Sequence, residues 1–154
     1  MTEIQWEIKS FNRLGLDELY ELLKLRVDVF VVEQNCPYPE IDGRDRHPET
    51  YHLMGRNKDG ELVAYLRILP PGLNFREVSI GRVVVAKNSR GHRVSDAMLK
   101  LSLDQVTHTW PNTDIRIGAQ VYLKEFYEFH GFEAVSESYL EDGIPHIDMI
   151  RKGS

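Results

Sequence analysis

Apolar and polar residues alternate near the start of the chain. Ile4, Trp6 and Ile8 are separated by polar neighbours, a period of two that predicts a strand. From Leu16 to Val32 the period lengthens: Leu16, Leu19, Tyr20, Leu23, Val27 and Phe30 recur at steps of three and four, which predicts a core-facing helix. Residues 34–50 carry Pro37, Pro39, Gly43 and Pro48 among many charges and predict an irregular loop. A loop of that length in a compact domain is functional or mobile. His52–Asn57 and Glu61–Leu69 then flank Lys58-Asp59-Gly60, a hairpin signal that ends at Pro70-Pro71-Gly72. Residues 77–86 are apolar and β-branched, and a helix opens near Gly91 with Val94, Ala97, Met98 and Leu101 on one face. Ile115–Ile117 reads as a short strand, Tyr122–Phe129 as a short helix, and Phe132–Tyr139 with His146–Ile150 as a closing pair around Glu141-Asp142-Gly143. The predicted order is β-α-β-β-β-α-β-α-β-β. Its central strand–helix–strand unit calls for one parallel pair in an otherwise antiparallel sheet.

Composition narrows the class without naming it. A chain of 154 residues fits a single domain, 1–154, since domains commonly hold roughly 100–150 residues. An apolar fraction of 42% and a charged fraction of 28% are ordinary for a soluble globular protein. The net charge of −5 argues against nucleic-acid binding driven by overall basicity. Cys36, the one cysteine, excludes an intrachain disulfide and fits a reducing compartment. With no basic leader followed by an apolar run, and no apolar stretch long enough to span a bilayer, the expected location is the cytoplasm, away from membranes.

Charge is unevenly spread. Residues 78–95, VSIGRVVVAKNSRGHRVS, hold Arg82, Lys87, Arg90 and Arg93 and no acid, a local charge of +4. These cations lie where a buried strand ends and a helix begins. Helix starts offer unpaired N–H groups and the positive end of the dipole, so extra arginines there favour an anion and are otherwise unfavourable. The cluster alone does not name the anion, and a solvated basic first turn is the alternative.

Two segments carry a resemblance. Val83-Val84-Val85 followed by Arg90-Gly91-His92-Arg93-Val94-Ser95 resembles the acetyl-coenzyme A motif Arg/Gln-x-x-Gly-x-Gly/Ala of the GNAT superfamily. Phe126-Tyr127-Glu128-Phe129-His130-Gly131-Phe132 resembles that superfamily's Phe/Leu-Tyr-x-x-x-Gly-Phe segment. Leu25–Gln34, Cys36-Pro37-Tyr38, Ile80–Val85, Gly118-Ala119-Gln120 and Glu141–His146 are similar to the ElaA-like family. The resemblance implies an α/β (α+β) fold of GNAT type: a mixed, mostly antiparallel sheet with a splayed parallel pair at its centre and helices on both faces. It implies an N-acetyltransferase that takes acetyl-coenzyme A as co-substrate and an amine as acceptor. The backbone of Val83, Val84 and Val85 would pair with the pantetheine arm, the N–H groups of Gly91, His92, Arg93, Val94 and Ser95 would hold the pyrophosphate beside Arg90, and Gln120 would contact the pantetheine. Tyr127 would be the general acid for the departing thiolate. Arg93 and Ser95 depart from the motif, standing where it has Gly and Gly/Ala.

The base is not fixed by the sequence. His146 is the catalytic candidate, Glu33 and His52 are candidates for amine binding or for the base, and bulk water is the alternative. Glu40, Asp42, Asp45 and Glu49 form an acidic loop that would attract a cationic amine or a basic peptide end by its field, an exposed polar loop being the alternative. Cys36, His47 and His52 lack the paired spacing of a zinc site, so no metal is expected. A coenzyme A-binding module or sensor without turnover is the competing function. Oligomeric state, a homodimer included, is left open.

Overall fold

The computed structural model describes residues 3–91 and 93–153. Strand β1 (Gln5–Ser10) pairs antiparallel with β2 (Tyr51–Arg56), β2 with β3 (Leu62–Leu69), and β3 with β4 (Ser79–Val85). A second sheet holds β5 (Ile115–Gln120) and β6 (Glu133–Ala134) on either side of β8 (Ile144–Arg151), with β7 (Tyr139–Glu141) also paired to β8. The two sheets meet in parallel at one bridge, Val78 opposite Ile115, where the Arg116 N–H donates to Val78 O over 2.8 Å. Beyond that bridge β4 and β5 diverge. The parallel pair read from the strand–helix–strand unit is therefore a single point of contact.

Helix α1 (Leu16–Arg26) covers one face of the first sheet, and α2 (Val94–Thr109) the other. Alternation within the strands explains this. In β2 and β3, Leu53, Ala64, Leu66 and Ile68 pack with Met98, Leu99 and Leu103 of α2, while Met54 and Tyr65 pack with Leu22 and Leu25 of α1. Truncating a leucine such as Leu99 in such a core costs about 2–5 kcal/mol.

The predicted 16–32 helix is regular only to Arg26. Residues Val27–Glu33 continue in π-helical winding, and the Gln34 N–H reaches back five residues to Val29 O at 2.9 Å. Four β-branched valines in VDVFVVE disfavour ordinary helical winding, and π turns of this kind gather at functional sites. The loop through 50 is irregular apart from one 3-10 turn, Arg44–Arg46. The closing pair also differs from expectation. Ser136 Oγ accepts the Asp148 N–H at 2.9 Å, so a side chain replaces the backbone ladder and the strand predicted over 132–139 is broken into β6 and β7. Helix α3 (Lys124–Phe129) precedes β6.

Candidate active site

Where β4 leaves β5, a cleft of about 970 Å³ opens. Val83, Val84 and Val85 line it from β4, Gln120 from the end of β5, Tyr127 from α3 and His146 from β8. In the sheet register Gln120 stands opposite His146, which brings those two side chains to neighbouring positions.

The β4 wall is not a regular strand. Tyr65 pairs with Val84 and Arg67 with Gly81, so Leu66 alone faces both Arg82 and Val83. This is a β-bulge, and Arg82 within it has φ +51°. A residue with a Cβ loses roughly 1–2 kcal/mol in the left-handed region, so something must hold it there. Arg82 Nε donates to Glu40 Oε2 over 2.6 Å and Nη2 to Glu40 O over 3.0 Å. The same Glu40 oxygen takes Arg26 Nε at 2.8 Å, and Arg26 also donates to Asp45 Oδ1 at 2.7 Å. Arg67 completes the cluster, with both terminal nitrogens on Asp42 at 2.9 and 2.6 Å and one on Asp45 at 3.1 Å. Burial opposes the charged form of Asp42, yet Arg67 outweighs it and holds that carboxyl well below its usual range.

At the start of α2 the chain passes through Gly91 at φ +87° and Arg93 at φ +59°. Arg93 thus adopts the left-handed backbone that a glycine takes without cost. Arg90 is fastened differently: Nε donates to Val85 O at 2.9 Å, and its terminal nitrogens clasp Glu33 at 2.6 and 2.9 Å. That pair joins the π-helical segment to the β4–α2 connection, and both of its members line the cleft.

A family model for the acetyltransferase (GNAT) domain matches residues 26–152. The chain belongs to the GNAT acetyltransferase family. Protein ElaA of Escherichia coli (strain K12) is 46% identical to this GNAT protein over 149 residues, 97% of each chain. A crystal structure of an acyl-CoA N-acyltransferase from Pseudomonas aeruginosa superposes on it with a TM-score of 0.92 at 45% identity, over 97% of this chain and 99% of that one. The crystal structure of Escherichia coli ElaA does so with a TM-score of 0.92 at 45% identity, over 97% and 100%. The GNAT fold is built for acyl transfer from a coenzyme A thioester.

The candidate residues of this GNAT acyltransferase fall into three groups. Val83, Val84, Val85, Arg90, Ser95, Gln120, Tyr127, His146 and Glu33 line one cleft. Gly91 and Arg93 shape the turn that leads into α2, and the Val94 side chain is buried in the core. His92 lies outside the described residues. His52 does not reach the cleft. It is fully buried, with Nδ1 2.6 Å from the Tyr65 hydroxyl and Nε2 3.0 Å from Asp45 O, and burial lowers its pKa. An acceptor has no access to it, so the substrate-binding expectation is corrected: His52 is an interior brace. The acidic loop is corrected too. Glu40, Asp42 and Asp45 are neutralised by Arg26, Arg67 and Arg82, so Glu40 and Asp42, which line the cleft, give it no negative field. Glu33, a candidate for amine binding or for the base, is engaged with Arg90.

Sequence reasoning missed that ionic wall. One signal for it existed: Arg67 sits inside the apolar run Leu62–Leu69, and a charge in a buried strand requires a partner. Tyr139 and Asp148 were missed as well. The Tyr139 hydroxyl donates to Asp148 Oδ1 at 2.5 Å, and Arg116 holds the other oxygen at 2.7 Å, on the cleft side of β8. Among the described residues, no group of three or more His, Cys, Asp or Glu could hold a metal ion. Among the same described residues, no helix is long and apolar enough to cross a membrane.

Proposed function

We propose that this acyltransferase moves an acetyl group from acetyl-coenzyme A to a primary amine by direct attack, with Tyr127 as general acid. The observation that carries the reading is the divergence of β4 from β5, with Val83–Val85 on one wall and Tyr127 and Gln120 on the other. The bulged β4 backbone faces the cleft with polar groups that a pantetheine amide can pair with, as an added strand would. The N–H groups that open α2, with Arg90 beside them, suit a pyrophosphate.

In acetyl transfer the amine nitrogen bonds to the thioester carbon, the carbon–sulfur bond breaks, and the sulfur leaves as a thiolate. A backbone N–H near Val84 steadies the oxyanion that forms between those events. Tyr127 supplies the proton that the thiolate needs. Burial, with Tyr122 nearby, raises its pKa, so the phenol is protonated at neutral pH but a weaker acid than a free tyrosine, and the assignment rests on its place in the cleft wall. The amine must shed a proton. His146 Nδ1 lies 2.7 Å from Ile144 O, an arrangement that puts the ring hydrogen on Nδ1 and leaves the Nε2 lone pair as acceptor. His146 Nε2 therefore takes the amine proton, directly or through water.

Mixing the protein with acetyl-coenzyme A and a panel of primary amines, and following thiol release, tests the assignment. Amine-dependent release is expected. Binding of coenzyme A without release under any amine would instead identify a binding module.

A further inference from the structure

We propose that Glu40 is a positioning residue for acyl transfer, acting through Arg82 to hold the β4 bulge in the form that aims its backbone donors at the thioester. The proposal rests on the assignment of the oxyanion donor to the stretch near Val84.

Arg82 combines three features that seldom coincide: a Cβ, a left-handed φ of +51°, and a place inside the bulge next to Val83–Val85. Glycine is the usual residue for such a backbone. Here an arginine stands instead, and its guanidinium is tied twice to one residue, through Nε to the Glu40 carboxylate and through Nη2 to the Glu40 carbonyl. Two bonds from a planar fork to one partner fix direction as well as distance. Glu40 is itself anchored from beneath. Arg26, fully buried, bonds the same carboxylate oxygen and the same carbonyl, at 2.8 and 3.1 Å. The chain of contacts runs from the base of α1, through the 34–50 loop, to the bulge. The loop thus acts as a clamp on β4, and Glu40, itself in the cleft wall, sets the position of the catalytic backbone through Arg82.

A backbone donor misplaced by about 1 Å costs on the order of a hundredfold in rate. Releasing the clamp should therefore depress turnover more than cofactor binding. Glu40→Ala is expected to lower kcat at least tenfold with the KM for acetyl-coenzyme A changed less than threefold, a margin consistent with the size of donor effects. Glu40→Gln, which keeps an acceptor oxygen, should recover part of the loss. The deciding variant adds Arg82→Gly to Glu40→Ala. Glycine takes the left-handed backbone unaided, so the double variant should regain most of the turnover lost in Glu40→Ala. Hydrogen exchange at the Val83–Val85 amides gives a readout independent of activity: faster in Glu40→Ala than in the wild type, and slowed again in the double variant. Thermal melts confirm that each variant is folded at the assay temperature. Unchanged kcat and exchange in Glu40→Ala would overturn the proposal, as would a loss that Arg82→Gly fails to repair. If the wild type itself released no thiol with any amine, the function would fail while the exchange data still decided whether Glu40 holds the bulge.

Discussion

Arg67 and Arg90 both present two terminal nitrogens to a carboxylate at close to 2.6–2.9 Å, yet the Arg67 side chain is 3% exposed and the Arg90 side chain 41%. The first belongs to a buried cluster of three arginines and three carboxylates; the second is a solitary pair with Glu33, itself 34% exposed. Burial separates their roles. Inside, removing one partner strands a charge away from water, so the pairing is fixed and shapes the cleft wall. At the surface, water and salt compete for each partner, and an incoming phosphate can replace Glu33 at little cost. On the proposed function, the same chemistry serves as scaffold in one place and as an exchangeable site in the other.

Arg67→Ala should break the scaffold side of this contrast most severely. Losing Arg67 leaves Asp42 only the longer ion pairs to Arg44 at 3.3 Å and Arg82 at 3.6 Å, and should cost about 3–5 kcal/mol in a denaturant titration, the range for a broken buried pair. A loss under about 1 kcal/mol, typical of an exposed pair, would erase the distinction.

Acid should act on the buried side next. His52 has a lowered pKa in the fold, so below its ordinary value of about 6.5 the unfolded chain binds the proton first and stability falls as pH drops. Asp42 and Asp45 are also lowered; burial resists that, but Arg67 and Arg26 prevail. Their contribution is complete above the ordinary carboxylate value of about 4 and is lost as pH falls through their folded values. Melting temperature should therefore be level above neutrality, decline below about pH 6.5, and drop faster below about pH 4. In His52→Asn the first decline should disappear.

The exposed pair should give the smallest effects on stability and a visible one on binding. Arg90→Ala is expected to change unfolding free energy by no more than about 1 kcal/mol while weakening coenzyme A about tenfold by calorimetry, the worth of one charge-assisted contact. Glu33→Gln should do the reverse and tighten coenzyme A a few-fold, more so at low salt, because the competing carboxylate is gone. Identical affinities in both variants would remove Arg90 from the binding site.

Much of the framework was legible because it rests on local periodicity. The hairpin of β2 and β3, the strand before Gly91 and the stripe of Val94, Met98 and Leu101 all announce themselves in spacing, and the Tyr127 segment in its motif. What escaped depends on partners distant in sequence. Glu40, Asp42 and Asp45 look like a solvated acidic loop until Arg26, Arg67 and Arg82 are folded against them. His52 shows the same limit. In β2 both faces are buried, Leu53 against α2 and Met54 against α1, so alternation cannot tell which neighbour of a histidine is solvent and which is core. The bulge at Arg82 is hard to read for another reason: Gly81 stands beside it, but the residue in the left-handed region is an arginine, held there by an ion pair.

Acyl transfer in the cleft between β4 and β5, with Tyr127 delivering the proton, is tested most directly by comparing Tyr127→Phe with the wild type in thiol release and in coenzyme A affinity. The predicted result is a fall in kcat of about a hundredfold, the scale of general-acid catalysis, with affinity changed less than twofold. Equal turnover by the two proteins would contradict the assignment.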